Sequence, residues 1–207
     1  MHNVTIIDYG MGNLWSVKNA LEYLNCNVTI TNSPKDISNA ETLILPGVGS
    51  FRLAMKKLSN LKLDDAIIES VKIKKKKILG ICLGIQLMSK SSFEDGITSG
   101  LNLINQKTIK FELNTQRFRV PHIGFNSVFI EENKSNLLYK DIKNNSDFYF
   151  VHSYYLPFFQ INASLGKCTY GSEFIASYEK ENIFATQFHP EKSQKNGLKL
   201  LKNFLVI

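Results

Sequence analysis

Between Val4 and Cys82, short apolar runs alternate with stretches whose apolar residues recur every three or four positions, and few architectures accept that alternation. Residues 4–8, 28–31, 42–45 and 77–82 read as strands. The segments between them read as helices. Leu14, Val17, Leu21 and Leu24 share a face behind a cap at Asn13; Phe51, Ala54, Met55 and Leu58 follow Ser50; Ile67, Ile68 and Val71 mark a helix over 64–73. Successive strands joined by helices need crossovers, so they are predicted to lie parallel in a sheet covered by those helices. From about Lys107 the texture changes: residues 126–131, 148–152, and 174–177 facing 183–188 are β-rich and separated by polar loops, the pattern of antiparallel pairing. A last helix over about 194–205 aligns Leu198, Leu201 and Leu205. The expected fold class is α/β, a mostly parallel central sheet flanked by helices with an additional antiparallel β section.

The chain has 207 residues, 43% of them hydrophobic, with no internal repeat and no Pro- or Gly-rich linker, so one domain over 1–207 is expected. Its formal charge of +7 would allow an acidic partner, but the dense run Lys74 to Lys77 has no interleaved aromatics and reads as a solvated helix end entering a strand. Nucleic acid is not expected as a ligand. Cys26, Cys82 and Cys168 are odd in number and widely spaced, which points to neither a disulfide framework nor a metal site, and to a reducing compartment. The start of the chain lacks the pattern of a signal peptide, and no apolar stretch reaches membrane-spanning length, so a soluble, cytoplasmic protein is expected.

Chemistry concentrates where strand 77–82 ends. In Gly80-Ile81-Cys82-Leu83-Gly84 the cysteine stands at a strand-to-helix turn with a glycine two residues to either side, the spacing of a nucleophile elbow. A helix N-terminus beneath the sulfur would favour thiolate and oxyanion alike, which suits acyl transfer. A buried structural cysteine in a Gly-containing strand is the other reading of the same residues. Of the four histidines, His189 has the best context for a base, because in extended chain Glu191 points to the same side and can orient and charge its ring. His152 lies in an aromatic strand and His122 beside a proline, so a structural or supporting role is expected for each, and His2 is terminal. The Pro46-Gly47-Val48-Gly49 turn could supply oxyanion-binding N–H groups beside the elbow, or could simply join a strand to a helix. Gly10-Met11-Gly12-Asn13 fails as a phosphate loop, since Trp15 stands where a third glycine belongs. No cofactor or metal is called for.

Six segments in order resemble the class I glutamine amidotransferases, and within them the glutaminase subunits of imidazole glycerol phosphate synthase: Asp8 to Leu14, PGVGSF from Pro46, GICLGIQ from Gly80, PHIGFN from Pro121, YFVHSYY from Tyr149 and QFHPEKSQ from Gln187. The resemblance implies a single glutaminase domain with Cys82 as nucleophile, His189 as base and acid, and Glu191 as orienting carboxylate. It implies oxyanion donors from Leu83 and the Gly47-Val48-Gly49 turn, and glutamine contacts from Gly49, Gln86, Glu94, Ser153 and Tyr154. It further implies a (β/α)8-barrel cyclase partner met by Asn13, Tyr149 and Lys192, into which ammonia passes for histidine biosynthesis. Phe125 departs from the family's tryptophan at a position expected near that partner. A paralogue feeding another acceptor, such as a nucleotide sugar or surface-polysaccharide precursor, and a stand-alone cysteine amide hydrolase are the competing readings.

Overall fold

The computed structural model of the chain describes residues 1–112, 118–131, 136–159 and 162–207. The alternating first part contains β1 (Asn3–Ile7), α1 (Leu14–Tyr23), β2 (Asn27–Thr31), α2 (Pro34–Asn39), β3 (Thr42–Gly47), α3 (Phe51–Asn60), α4 (Leu63–Ile68) and β4 (Lys77–Cys82). Then come α5 (Leu83–Leu87), β5 (Ser89–Ser92), β6 (Thr98–Ser99), β7 (Ile104–Lys110), β8 (His122–Ile130) and β9 (Ser146–His152). β10 (Tyr154–Tyr155), β11 (Ser164–Tyr170), β12 (Ser172–Lys180), β13 (Ile183–Thr186) and α6 (Gln194–Val206) complete the order.

The main sheet runs β2-β1-β3-β4-β13-β12-β11-β8-β9. Its first five strands pair in parallel, and from β13 onward each pairing is antiparallel. The antiparallel section therefore extends the parallel sheet instead of standing apart from it. A smaller sheet, β10-β7-β5-β6, lies beyond α5.

Strand alternation sorts the core into two faces. Val4, Ile6, Ile44, Leu79 and Ile81 point to one side, where Val17 and Leu21 of α1 and Leu200, Leu201 and Phe204 of α6 cover them. Ile7, Leu43, Leu45 and Ile78 point to the other and meet Phe51, Leu58, Ile67 and Ile85 from α3, α4 and α5. Asn13 and Ser50 cap their helices by accepting from the N–H groups of Ser16 and Leu53. The helix expected over 64–73 is α4 continued by a π-helical stretch, Glu69–Ile73, whose wider turn brings both Ser70 and Val71 inward.

The lysine run is tied to the fold. Lys74 pairs with Glu69 at 2.9 Å, Lys75 with Glu181 at 3.5 Å, and Lys77 donates to the Phe204 carbonyl at 2.8 Å. Cys26, Cys82 and Cys168 are all buried free thiols. Among the described residues, no helix is long and apolar enough to cross a membrane.

The tightest packing lies where α5 folds back on the sheet. A Cβ on Gly84 would collide with the Leu45 carbonyl oxygen of β3, a backbone atom that cannot swing aside. Overpacking of this kind costs about 1–3 kcal/mol, so Gly84→Ala should lower the melting temperature by about 2 °C or more in a thermal denaturation scan. An unchanged melting temperature would contradict this contact.

Candidate active site

Cys82 is the last residue of β4 and adopts φ 54° and ψ −104°, a left-handed conformation that L residues rarely hold. The strain is imposed from both flanks. A Cβ on Gly80 would come within 2.8 Å of Met88 Sδ and 2.9 Å of the Gly84 carbonyl carbon, so α5 can start directly beneath the sulfur only because both positions are glycine. The Cys82 side chain is thereby turned out of the sheet at the carboxyl end of the strand. Its Sγ lies 3.7 Å from the Val151 carbonyl oxygen and 4.0 Å from Gln187 Nε2.

Parallel pairing of β3 with β4 sets Gly47 opposite Cys82, so the Pro46-Gly47-Val48-Gly49 turn does lie beside the elbow. Tyr9 supports the turn from below. Its hydroxyl donates to the Pro46 carbonyl at 2.9 Å and fills the space a Cβ on Gly47 would need. Burial, reinforced by charge on Cys82, pushes that hydroxyl's pKa up and keeps it a donor.

On the other side of β4, parallel β13 ends at Thr186, and the chain running on from it delivers Gln187 and His189 to the same sheet end. The His189 backbone is tethered to β9: its N–H donates to the Tyr149 carbonyl at 2.9 Å, while Ser193 Oγ donates to the His189 carbonyl at 2.6 Å and accepts from the Tyr149 N–H at 2.9 Å. His189 Nδ1 meets Glu191 Oε1 at 2.7 Å, with side chains only 3% and 1% exposed. Pro190–Lys192 forms a short 3-10 turn, so the two side chains meet across a turn and not through the extended alternation expected for them.

Burial disfavours charge on His189, but the Cys82 sulfur and the Glu191 carboxylate outweigh it, and the pKa is pushed up to about 10. His189 Nε2 is buried and makes no hydrogen bond to the described residues, while the Cys82 sulfur still favours the ring's charged form.

In front of Cys82 opens a cavity of about 440 Å³. Val48, Gly49, Leu83, Gln86, Glu94, Ser153 and Tyr154 line it, which brings together the residues expected to contact substrate. Gln86 Nε2 donates to the Tyr154 carbonyl at 2.8 Å and to Gln187 Oε1 at 3.1 Å, fixing its amide. Glu94 accepts from the Phe51 N–H at 2.8 Å, and burial, opposed by that bond, raises its pKa. Val151 and His152 also line the cavity, a placement the sequence reading left out. Gln187 was missed too, although it stands two residues before His189 and alternation along an extended chain would set both side chains on one side.

The four residues expected at a partner surface lie outside the cavity. Phe125 faces Tyr149 across β8 and β9 with their rings edge to face at 5.6 Å, and Phe125 is half exposed. Lys192 is the exposed end of the turn carrying Glu191, and Asn13 caps α1.

The raised pKa gives His189 a defined effect on stability. Folded, the ring keeps its proton to about pH 10; unfolded, it releases it near 6.5. The stabilisation is complete below about 6.5 and fades as the pH rises through 10. Glu191→Gln removes part of this, so the fall in melting temperature between those pH values should be shallower than in the parent; an identical slope would mean that Glu191 does not hold the proton on His189.

Residues 5–207 match the glutamine amidotransferase class-I family. The chain is 48% identical over 201 residues to the imidazole glycerol phosphate synthase subunit HisH 1 of Campylobacter jejuni, covering 97% of this chain and 98% of that one. It is 45% identical to the HisH 2 subunit of Methanococcus maripaludis, with 98% of each chain covered. Among solved structures, the fold matches one described as a glutamine amidotransferase, with a TM-score of 0.74 at 15% identity over 98% of this chain and 97% of that one. It matches PurLQS from Thermotoga maritima with a TM-score of 0.74 at 18% identity, over 100% and 99% of the two chains. With the family match spanning nearly the whole chain, this protein belongs to the class-I glutamine amidotransferases.

Proposed function

We propose that the chain is the glutaminase subunit of an imidazole glycerol phosphate synthase, releasing ammonia from glutamine and delivering it to a (β/α)8-barrel cyclase subunit. The observation that carries this reading is the Cys82 elbow at the floor of the cavity, backed by the buried His189–Glu191 pair. The near full-length identity to HisH subunits supports the choice of synthase.

In the proposed reaction the Cys82 thiolate attacks the side-chain amide carbon of glutamine, forming an S–C bond and an oxyanion. The oxyanion is held by the Leu83 N–H at the start of α5 and by the Gly47-Val48-Gly49 turn, which the β3–β4 register sets beside the sulfur. The proton that departing ammonia needs comes from His189, which its partners keep charged. The C–N bond breaks and a glutamyl thioester remains. Neutral His189 then takes a proton from water, hydroxide attacks the thioester, and the S–C bond breaks to release glutamate. Loss of one oxyanion donor in such sites costs about two to three orders of magnitude in rate, so the position of the Gly47–Gly49 turn controls turnover. Gln86, Glu94 and the Ser153-Tyr154 wall hold the substrate, and Asn13, Phe125, Tyr149 and Lys192 face the cyclase.

One observation favours a second reading, a paralogue with the same chemistry and a different acceptor. Phe125, in place of the family's tryptophan, is half exposed beside Tyr149 and gives the partner an apolar ring without an indole N–H.

Cys82→Ala should reduce glutamine-dependent product formation by the reconstituted synthase at least about a thousandfold while leaving formation from ammonium salts intact. Surviving glutamine-dependent turnover would contradict the assignment of the nucleophile. Failure of the parent chain to support any cyclase subunit, alongside vigorous glutamine hydrolysis alone, would turn the reading to a stand-alone amide hydrolase.

A further inference from the structure

Two buried histidines stand in line at one side of the cavity, His152 lining it and His122 next to His152. His152 Nδ1 lies 2.8 Å from the Tyr154 carbonyl oxygen, His152 Nε2 lies 3.1 Å from His122 Nδ1, and His122 Nε2 lies 3.4 Å from Asn126 Nδ2. The direction of every bond in this row is determined by its ends. A carbonyl only accepts, so His152 carries its proton on Nδ1. At the far end, Asn126 Oδ1 accepts from the Ser127 N–H at 2.8 Å and Nδ2 donates to the Thr169 carbonyl at 3.2 Å, which fixes the amide with its N–H group toward His122. His122 Nε2 therefore accepts and its Nδ1 donates to His152 Nε2, which must be bare. Both ends demand the same pair of tautomers, and a second proton on either ring would set two donors face to face. Burial, acting in the same sense, lowers the pKa of His122 to about 4 and of His152 to about 3.

The rings are also clamped. His122 stacks between Tyr170 at 4.0 Å and Phe150 at 4.9 Å, and His152 packs against Phe111 and Phe174. The Tyr154 carbonyl receives a second bond from Gln86, which sits on α5 one turn after Cys82. The carbonyl oxygen of Ser153 is engaged by the Phe111 N–H at 3.0 Å. The Ser153-Tyr154 wall is thus tied at one point to the elbow helix and, through two neutral imidazoles, to β8, the strand that carries Phe125.

We infer that His152 and His122 are positioning residues for the substrate cavity: a one-directional row of hydrogen bonds, Asn126 to His122 to His152 to Tyr154, holds the cavity wall at a set distance from Cys82. The role rests on the reading of this cavity as the glutamine site; the row of bonds does not. Removing the His152 N–H leaves the Tyr154 carbonyl with Gln86 alone and frees the wall to shift, so the loss falls on substrate binding before it falls on the sulfur.

The test uses the full chain with its cyclase subunit. In the parent protein, the ring-nitrogen NMR shifts of 15N-labelled histidine should report protonated Nδ1 and bare Nε2 for both His122 and His152 at neutral pH; an Nε2–H tautomer or an imidazolium at either ring would overturn the inference. His152→Phe keeps the ring volume and should raise the KM for glutamine about tenfold, the size expected for loss of one buried hydrogen bond, with Cys82 alkylation by iodoacetamide changed less than about twofold. His152→Asn places an amide N–H near the former Nδ1 and should recover most of that KM. An unchanged KM in His152→Phe, or an equal rise in both variants, would overturn the positioning role. The tautomer measurement needs no variant to fold. A parent complex that is alkylated at Cys82 yet does not hydrolyse glutamine would sink the glutaminase reading instead, with the tautomers still deciding the row of bonds.

Discussion

Cys82 is held at φ 54° and ψ −104°, and such backbone conformations cost about 1–3 kcal/mol unless the surroundings enforce them. Here the surroundings do. Gly84 lies against the Leu45 carbonyl, Gly80 lies against Met88 and Gly84, and the β3–β4 ladder continues as far as the Gly47–Cys82 pair. The rest of the site follows from this constraint. The sulfur faces out because the turn is sharp, the Gly47–Gly49 turn is adjacent because β3 is the neighbouring strand, and His189 arrives because β13 flanks β4 on its other side. Three parallel strands thus converge their carboxyl ends on one point, the region where open α/β sheets form their clefts.

The same side chain is driven in opposite directions within this small volume. His189 is buried against a sulfur and a carboxylate, and its charged form wins. His122 and His152 are buried among aromatic rings with only neutral hydrogen-bond partners, and their charged forms lose. One imidazole thereby favours its charged form while two stay neutral. The tether from His189 to Tyr149, and the pairing of Tyr149 with Phe125, also make the proposed acid and the proposed partner face parts of one piece of sheet.

Much of this was legible in the chain itself. The apolar runs of β1 to β4 and the capped periodic helices α1 and α3 carry strong local signals, and the glycine spacing around Cys82 announces the elbow. The elements that were not read have weak signals for physical reasons. α2 is six residues long and rests on a Ser33 cap with Pro34 at its first position, too short for periodicity to appear. β5 is the polar run Ser89–Ser92, whose serines carry no apolar alternation and whose buried Ser89 hydroxyl donates to the Ser91 carbonyl at 3.2 Å and accepts from Thr108 at 3.1 Å. Nor could the position of His152 in the cavity wall be read from an aromatic strand, because it depends on β10 turning back to pair with β7 and offering the Tyr154 carbonyl to the ring.

In the proposed mechanism an acyl group passes through Cys82. Acid-quenching the reconstituted complex during glutamine turnover and mass-analysing its peptides tests this most directly. A glutamyl adduct is expected on the peptide containing Cys82 and none on those containing Cys26 or Cys168. Steady turnover with no acylated Cys82 peptide after a rapid quench, or with the adduct on another residue, would contradict it.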